Sequence, residues 1–172
     1  MRFSFMPLSR EGVLALFEWR YPEPYQVYNL GGEYMEEALA ELTDQRSPYY
    51  AAYDEQGLLA GFINVGTSAL VWDAGEPRVF IDGEHGTTAL GLGLRPDLTG
   101  HGLGLSFVES ALTFLRDQFS PRQIRLFVLA WNKRALRVYE QAGFQQIRAF
   151  TQVNRFGTSD FIEMCLNIEQ ER

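Results

Sequence analysis

The stretch Leu92-Gly93-Leu94-Arg95-Pro96-Asp97-Leu98-Thr99-Gly100-His101-Gly102-Leu103-Gly104 joins an apolar run to a helical pattern that opens at Leu105. Glycines at 100, 102 and 104 leave three of the five residues at the start of the helix without a Cβ, so the backbone can curl tightly and point unpaired N–H groups outward. With the positive end of the helix dipole, these groups form a site for a phosphate or pyrophosphate. On spacing alone, an ordinary connecting turn is the alternative.

This turn does not match the two best-known phosphate-binding motifs. A dinucleotide-binding fingerprint needs a third glycine where Leu105 stands, and a P-loop needs a Gly-Lys-Ser/Thr tripeptide that the chain lacks. The sequence therefore favours a phosphate site of a different design.

Composition narrows the class of protein. The 172 residues are 46% hydrophobic, which suits one globular domain with a full core. A formal charge of −7 argues against nucleic acid as a partner, because a phosphate backbone demands a basic face. One cysteine, and no apolar run of signal-peptide or membrane-spanning type, predict a soluble cytoplasmic protein. Two histidines and one cysteine cannot assemble a standard zinc site, so no metal is expected.

Periodicity predicts one mixed α/β sheet with helices on both faces. The predicted order begins with a strand at about 3–5, a helix from the N-cap Ser9 to Phe17, an aromatic loop 19–28, a helix 33–45 and strands 49–53 and 58–65. Residues 66–87 either contain short strands at 71–72 and 78–81 or form an irregular segment over one end of the sheet. The order then continues with a strand 88–94, a helix 105–118, a strand 124–130, a helix 132–142, and strands 144–153 and 160–168 joined by a loop 154–159.

The strand at 88–94 has an unusual composition. Leu90, Leu92 and Leu94 share one face, and the other face is almost bare at Gly91 and Gly93. Glycine within a strand often marks the close approach of a ligand or another backbone. Packing against a helix is the alternative explanation.

The second half of the chain resembles the GNAT superfamily of acyl-CoA-dependent N-acyltransferases. That family's first signature is a Leu-x-Val-x-Pro-like strand end followed by Gln/Arg-x-x-Gly-x-Gly/Ala. Here Leu92–Pro96 precedes Thr99–Gly104, and Thr99 occupies the usual Gln/Arg position. The second signature is an Asn that opens a short helix, a Tyr seven residues on, and then Gly-Phe, here Asn132, Tyr139, Gly143 and Phe144.

The resemblance implies a GNAT-like fold, a mixed and mostly antiparallel sheet of about seven strands in which a splayed strand pair holds CoA. It implies a single domain over residues 1–172. In that domain, about 1–87 form the acceptor side, about 88–150 the acyl-CoA-binding core, and about 151–172 the C-terminal strand.

The resemblance also implies the reaction, which is transfer of an acetyl group from acetyl-CoA to a primary amine by direct attack on the thioester. A backbone N–H at Leu92 or Leu94 would hold the oxyanion, and Tyr139 would protonate the departing thiolate. Candidates for the base are Asp82, Glu84 and His85, of which Glu84 is chosen; the alternative is that all three are solvated loop residues. The expected cofactor-binding residues are Leu92, Leu94, Thr99, Gly100, His101, Gly102, Leu103, Gly104, Asn132 and Tyr139.

Several of these residues have a plain structural alternative. Asn132 also suits a helix N-cap, and Tyr139 also suits a buried helix face. Trp19, Tyr21, Tyr25 and Tyr28 either line an acceptor pocket or form a hydrophobic loop. Lys133, Arg134 and Arg137 either meet the CoA 3′-phosphate or are simply solvated.

The expected partners are therefore acetyl-CoA and an amine, without nucleic acid or membrane, in a monomer or homodimer. A non-catalytic acyl-CoA-binding sensor is the alternative function.

Overall fold

The computed structural model describes residues 1–33, 35–46, 48–71, 86–154 and 157–168. The strands in this part of the chain are β1 Ser4–Pro7, β2 Tyr49–Tyr53, β3 Leu59–Val65, β4 Thr87–Leu94, β5 Gln123–Leu129, β6 Gln145–Asn154 and β7 Gly157–Asn167. The helices are α1 Arg10–Phe17, α2 Met35–Leu42, α3 Gly104–Phe119 and α4 Lys133–Gln141, with short 3-10 turns at Tyr25–Tyr28, Thr67–Ala69 and Pro96–Leu98. None of the described helices is long and apolar enough to cross a membrane.

The local signals in the sequence explain where most of these elements begin and end. Ser9 caps α1, because its Oγ accepts from the Gly12 N–H at 3.1 Å. Gly143 follows α4 at φ +96, and its N–H donates to the Glu140 carbonyl at 3.0 Å. The predicted loop 154–159 is wrong in length, because β6 runs to Asn154 and β7 begins at Gly157.

The described strands form one open sheet in the order β1-β2-β3-β4-β5-β7-β6. Only the neighbours β4 and β5 are parallel, and every other neighbouring pair is antiparallel. The parallel pair is joined through α3, as a parallel crossover requires. The predicted mixed, mostly antiparallel sheet of seven strands is confirmed.

Helices cover both faces of the sheet, as the sequence predicts. Phe62 and Ile63 are neighbours on β3 and therefore point to opposite faces. Phe62 packs on a cluster from α1 and α2 that includes Leu16 and Leu42. Ile63 belongs to the larger core with Phe107 and Val108 of α3, and parts of α4 pack against the same core. The β3–β4 centre of the sheet thus lies between two helical layers.

A buried ion network ties β5 to the C-terminal strands. Glu163 on β7 is fully buried and accepts from Arg125 of β5 at 2.8 Å and from Arg148 of β6 at 2.7 Å. Two partners for one buried carboxylate satisfy the charge that burial would otherwise penalise. β5 is therefore held to β7, which leaves its other edge to face β4.

Candidate active site

The central feature of the site is a gap between two strands that begin as neighbours. β4 and β5 pair only from Thr87 with Gln123 to Ala89 with Arg125. Beyond Ala89, β4 continues for five residues, and among the described strands these pair with β3 alone. The parallel pair therefore opens into a split, which is the splayed pair that the resemblance implies.

Strand geometry decides which groups of β4 face this split. On the β3 side, the Ala89 carbonyl accepts from the Gly66 N–H at 3.1 Å, and the Arg95 N–H donates to the Ala60 carbonyl at 2.8 Å. Since successive residues alternate between the two edges of an antiparallel ladder, the N–H and C=O groups of Leu92 and Leu94 face the split. Both predicted backbone donors thus lie on the open edge.

The glycine turn lies just beyond the end of β4. Gly100 and Gly102 adopt φ +78 and +77, which favour glycine. Gly104 has a different role, because a Cβ there would lie 3.0 Å from Val138 Cγ2, so it allows α4 to pack close to α3. The N-cap of α3, Leu103, makes no side-chain cap, and the first turn carries no acidic residue. The first N–H groups of α3 have no acceptor within the helix, and a helix start of this kind can bind an anion.

The side chains of Thr99 and His101 both contact carbonyl oxygens in or next to this turn. Thr99 Oγ1 donates to the Pro96 carbonyl at 2.7 Å, so its hydroxyl closes the preceding 3-10 turn. The exposed His101 has its Nδ1 2.9 Å from the Thr99 carbonyl oxygen. The short Thr99 side chain therefore provides no cation where the family has Gln or Arg.

A cation reaches the turn from α4 instead. A Cβ on Gly100 would lie 3.6 Å from Arg134 Nη1, and the Arg134 guanidinium stacks over the Tyr25 ring at 4.2 Å. Lys133 donates from Nζ to the Ala130 carbonyl at 2.7 Å, and Arg137 is exposed. Of the three cations singled out in the sequence, Arg134 is the one that the fold brings to the glycine turn.

Asn132 is buried and has both of its side-chain functions in use. Its Oδ1 accepts from the Ala135 N–H at 3.1 Å, which is the N-cap bond of α4. Its Nδ2 donates to the Tyr28 hydroxyl at 2.9 Å. The N-cap alternative is therefore correct, while a role in binding pantetheine stays a prediction that the remaining N–H of Nδ2 would have to serve.

Tyr139 lies on the face of α4 that packs against the main core. Its ring meets that of Phe144 edge-on, with centroids 6.1 Å apart. Burial, followed by the electrostatic influence of Tyr28, raises the pKa of the Tyr139 hydroxyl above its ordinary value. The phenol is thus kept in the protonated form that a proton donor needs.

The tyrosine loop, residues 19–29, spans the two sides of the split. The Tyr21 hydroxyl donates to the Leu94 carbonyl at 2.8 Å, and the Tyr28 hydroxyl accepts from Asn132. Tyr25 packs on Trp131, with ring centroids 5.4 Å apart. Trp19 points elsewhere and packs near Phe62 in the α1–α2 cluster. Three members of the predicted aromatic cluster therefore border the split, and the fourth is part of the core.

The bare face of β4 is not open to a ligand. A Cβ on Gly93 would lie 2.5 Å from Phe62 Cε1, and one on Gly91 would lie 2.9 Å from Asn64 Cγ. The expectation of close ligand approach at these glycines is wrong on that face, because cross-strand side chains of β3 fill it. The packing is against β3 itself rather than against a helix.

The predicted base candidates Asp82, Glu84 and His85 lie outside the described residues. Within the described ranges, no group of three His, Cys, Asp or Glu side chains is arranged to hold a metal ion.

Comparison with known families now bears on this geometry. The sequence model described as the Acetyltransferase (GNAT) family matches residues 13–144, which include the split, the glycine turn and α4. The chain belongs to the GNAT acetyltransferase family. A comparison with curated protein sequences found no significant match.

Solved structures of N-acetyltransferases share this GNAT fold. A chimera of the spermidine N-acetyltransferase SpeG from Vibrio cholerae and hSSAT is 17% identical, with a TM-score of 0.70 over 97% of this chain and 96% of the other. A provisionally named phosphinothricin N-acetyltransferase is 17% identical, with a TM-score of 0.69 over 98% and 99%. The Vibrio cholerae spermidine N-acetyltransferase in complex with CoA and spermine is 17% identical, with a TM-score of 0.64 over 96% and 95%.

Two residues of this GNAT site escaped the sequence analysis. Trp131 directly precedes the Asn of the second signature and contacts both Tyr25 and Tyr28. Asn64 is a buried amide in the otherwise apolar strand β3 and lies against Gly91. A polar residue inside a predicted buried strand was a signal for Asn64, whereas nothing in the pattern around Trp131 indicated its contacts.

Proposed function

We propose that this GNAT protein transfers the acetyl group of acetyl-CoA to a primary amine by direct attack on the thioester. The observation that carries the proposal is the parting of β4 from β5 after Ala89, directly before an uncapped, glycine-lined helix start. An extended arm with an anionic head fits such a place, because free strand N–H groups lie in line with a helix N-terminus.

In this proposal the pyrophosphate binds the N–H groups from Gly100 to Gly104, and the pantetheine arm runs along the open edge of β4. The Leu94 carbonyl, which now accepts from Tyr21, would be offered to an amide of the arm. Arg134 supplies a cation beside the phosphates, in place of the Gln or Arg side chain that the family has at the position of Thr99.

Few groups of the protein take part in the proposed reaction. The amine nitrogen attacks the thioester carbon, and a β4 N–H at Leu92 or Leu94 stabilises the negative oxygen. The carbon–sulfur bond then breaks, and the CoA thiolate takes the hydroxyl proton of Tyr139. The amine loses its own proton to a base, for which Glu84 is our candidate, and solvent returns a proton to Tyr139.

Two observations support a choice of acceptors to test first. One structural neighbour was solved with CoA and spermine. In the present protein, the rings of Tyr21, Tyr28 and Trp131 lie beside the split and present faces suited to an amine cation. Polyamines are therefore the first acceptors to test, followed by α-amino acids and their analogues.

The test measures release of the CoA thiol from acetyl-CoA with a panel of amines. Turnover above the hydrolysis background with at least one amine, together with an acetylated product of the expected mass, is the predicted result. If acetyl-CoA binds with saturation while no amine in the panel is acetylated, the sensor alternative holds instead.

Replacing Arg134 with Gln should weaken acetyl-CoA binding about five- to tenfold, because one charge beside the phosphates is lost. Calorimetry would give the dissociation constants for acetyl-CoA and for its analogue without the 3′-phosphate. If Arg134 contacts the pyrophosphate, the substitution should weaken the binding of both ligands by the same factor. If it contacts the 3′-phosphate, only the binding of acetyl-CoA should weaken.

The control for this substitution is Arg116→Gln, which removes one exposed positive charge at the opposite end of α3. Its dissociation constants should stay within about twofold of the original protein. Equal weakening by both substitutions would mean that affinity depends only on the net charge of the protein and that Arg134 makes no direct contact with acetyl-CoA.

A further inference from the structure

Asn64 makes hydrogen bonds that a core position in an apolar strand does not require. It is only 5% exposed on β3, and its amide contacts Ser68 Oγ at 2.8 Å. With the amide oriented so that donors meet acceptors, Oδ1 also accepts from the Ala69 N–H at 3.3 Å, and Nδ2 donates to the Gly91 carbonyl at 3.3 Å. The side chain thus connects the turn after β3 to the neighbouring strand β4.

Gly91 is matched to this amide. It lies directly opposite Asn64 in the β3–β4 ladder, and any Cβ at Gly91 would overlap the Asn64 amide. Its φ is not in the left-handed region, so the glycine is required by space and not by backbone conformation. The Asn64 amide therefore fits here only because residue 91 has no side chain.

The carbonyl that Asn64 contacts belongs to the peptide that joins Gly91 to Leu92. In a trans peptide the C=O and N–H groups point in opposite directions. The Gly91 carbonyl faces β3, and the Leu92 N–H therefore faces the split. The Gly91 carbonyl already pairs in the ladder, and a second donor on the same oxygen polarises the peptide and strengthens its N–H as a donor.

Leu92 and Leu94 lie at different depths in the split between β4 and β5. The glycine turn holds the phosphate end of acyl-CoA in the proposed function, so the thioester lies at the far end of the arm, toward the vertex at Ala89. Leu92 is two residues closer to that vertex, about 7 Å along the strand. The Leu94 group, whose carbonyl meets Tyr21, is nearer the mouth and the pantetheine amides.

We infer that Asn64 is a positioning residue for the oxyanion contact. Through the Gly91 carbonyl it fixes and polarises the peptide whose Leu92 N–H binds the thioester oxygen as negative charge develops there. This inference rests on the proposed acetyl transfer and adds to it a residue of β3 that acts through the Gly91–Leu92 peptide.

The experiment replaces Asn64 with Asp, whose ionised carboxylate keeps the shape and both acceptor contacts but has no donor for Gly91. Because a protonated Asp would still donate to the Gly91 carbonyl, the carboxylate band in the infrared spectrum is used to verify that the new side chain is ionised at the pH of the assay. We expect kcat to fall about tenfold, while the dissociation constant of acetyl-CoA stays within twofold. Infrared difference spectra with 13C-labelled thioester carbonyl supply a readout that a merely structural role would not move. The bound carbonyl should absorb at lower frequency than free acetyl-CoA in the original protein, and part of that shift should be lost in Asn64→Asp.

The matched control is Ser68→Ala, which removes another hydrogen bond of the same amide and leaves the donor to Gly91. It should lower thermal stability with kcat and the carbonyl frequency nearly unchanged. If Asn64→Asp folds and matches the original protein in both kcat and frequency, or if Ser68→Ala reproduces both of its losses, the inference is wrong.

A measurement on the original protein tests the inference even if the Asn64→Asp variant does not fold. With 15N-leucine labelling, the Leu92 amide proton should shift further on binding acetyl-CoA than on binding CoA, and more than the Leu94 proton does. No such difference at Leu92 overturns the inference. Failure of the original protein to bind acetyl-CoA or to acetylate any amine would instead refute the proposed function.

Discussion

Replacing Gly102 with Glu should weaken acetyl-CoA binding at least about 100-fold, which corresponds to about 2.7 kcal/mol of binding free energy. A Cβ at Gly102 meets no atom of the described residues within 4 Å, so the new side chain enters the space in front of α3 without disturbing the core. There it puts a carboxylate where the proposed phosphates bind, and repulsion replaces the attraction of the helix N-terminus. Calorimetric titration with acetyl-CoA measures the loss.

Gly57→Glu provides a control with the same local backbone. Gly57 lies in the turn between β2 and β3 at φ +76, against +77 for Gly102. An added Cβ there likewise meets nothing within 4 Å in the part of the chain that the structure describes. Both substitutions carry the left-handed cost of about 1–2 kcal/mol. Both should therefore lower thermal stability similarly, and only Gly102→Glu should impair binding. Unchanged binding in Gly102→Glu would remove the glycine turn as the pyrophosphate site.

The order of elements was predictable because local signals determine it. The cap at Ser9, the left-handed Gly143 and the glycines at 100 and 102 each require a conformation that the chain adopts. The alternation placed Leu90, Leu92 and Leu94 on one face of β4, and that face packs in the main core. These signals depend on neighbours in sequence, so a single sequence carries them in full.

The contacts across strands could not be predicted in the same way. The bare face of β4 looked open because its cover comes from Phe62 and Asn64, about 30 residues earlier in the chain. Similarly, Arg134 reaches the glycine turn only because Gly104 lets α4 pack close to α3. Which distant side chain fills a space depends on register and helix packing, and neither is encoded in a local pattern.

Tyr139→Phe is the variant that tests the chemical step. We expect kcat to fall about 10- to 100-fold, the typical contribution of a positioned acid to a leaving group that is already fairly stable as an anion. Phe retains the ring that packs on Phe144 and the core, so acetyl-CoA affinity and thermal stability should change little. Single-turnover release of the CoA thiol measures the step directly.

Tyr50→Phe is the matched control, because its ring packs on Phe114 in the same core, at 4.9 Å between centroids, away from the split. Its kcat should equal that of the original protein. A solvent deuterium isotope effect on thiol release that is present in the original protein and in Tyr50→Phe should shrink in Tyr139→Phe. Equal rates and equal isotope effects in all three proteins would exclude Tyr139 as the acid.

The pH dependence of kcat/KM provides a second test of the role of Tyr139. A phenol donates only while it is protonated, and burial raises the pKa of Tyr139 above its ordinary value, so the donor form persists through and beyond pH 10. Over the same range the amine acceptor loses its proton and becomes more reactive. The rate constant kcat/KM should therefore rise with pH up to about 10 without a descending limb. A decline below pH 10 that disappears in Tyr139→Phe would mean that Tyr139 titrates as an exposed phenol does, and that its burial is lost once the substrates bind.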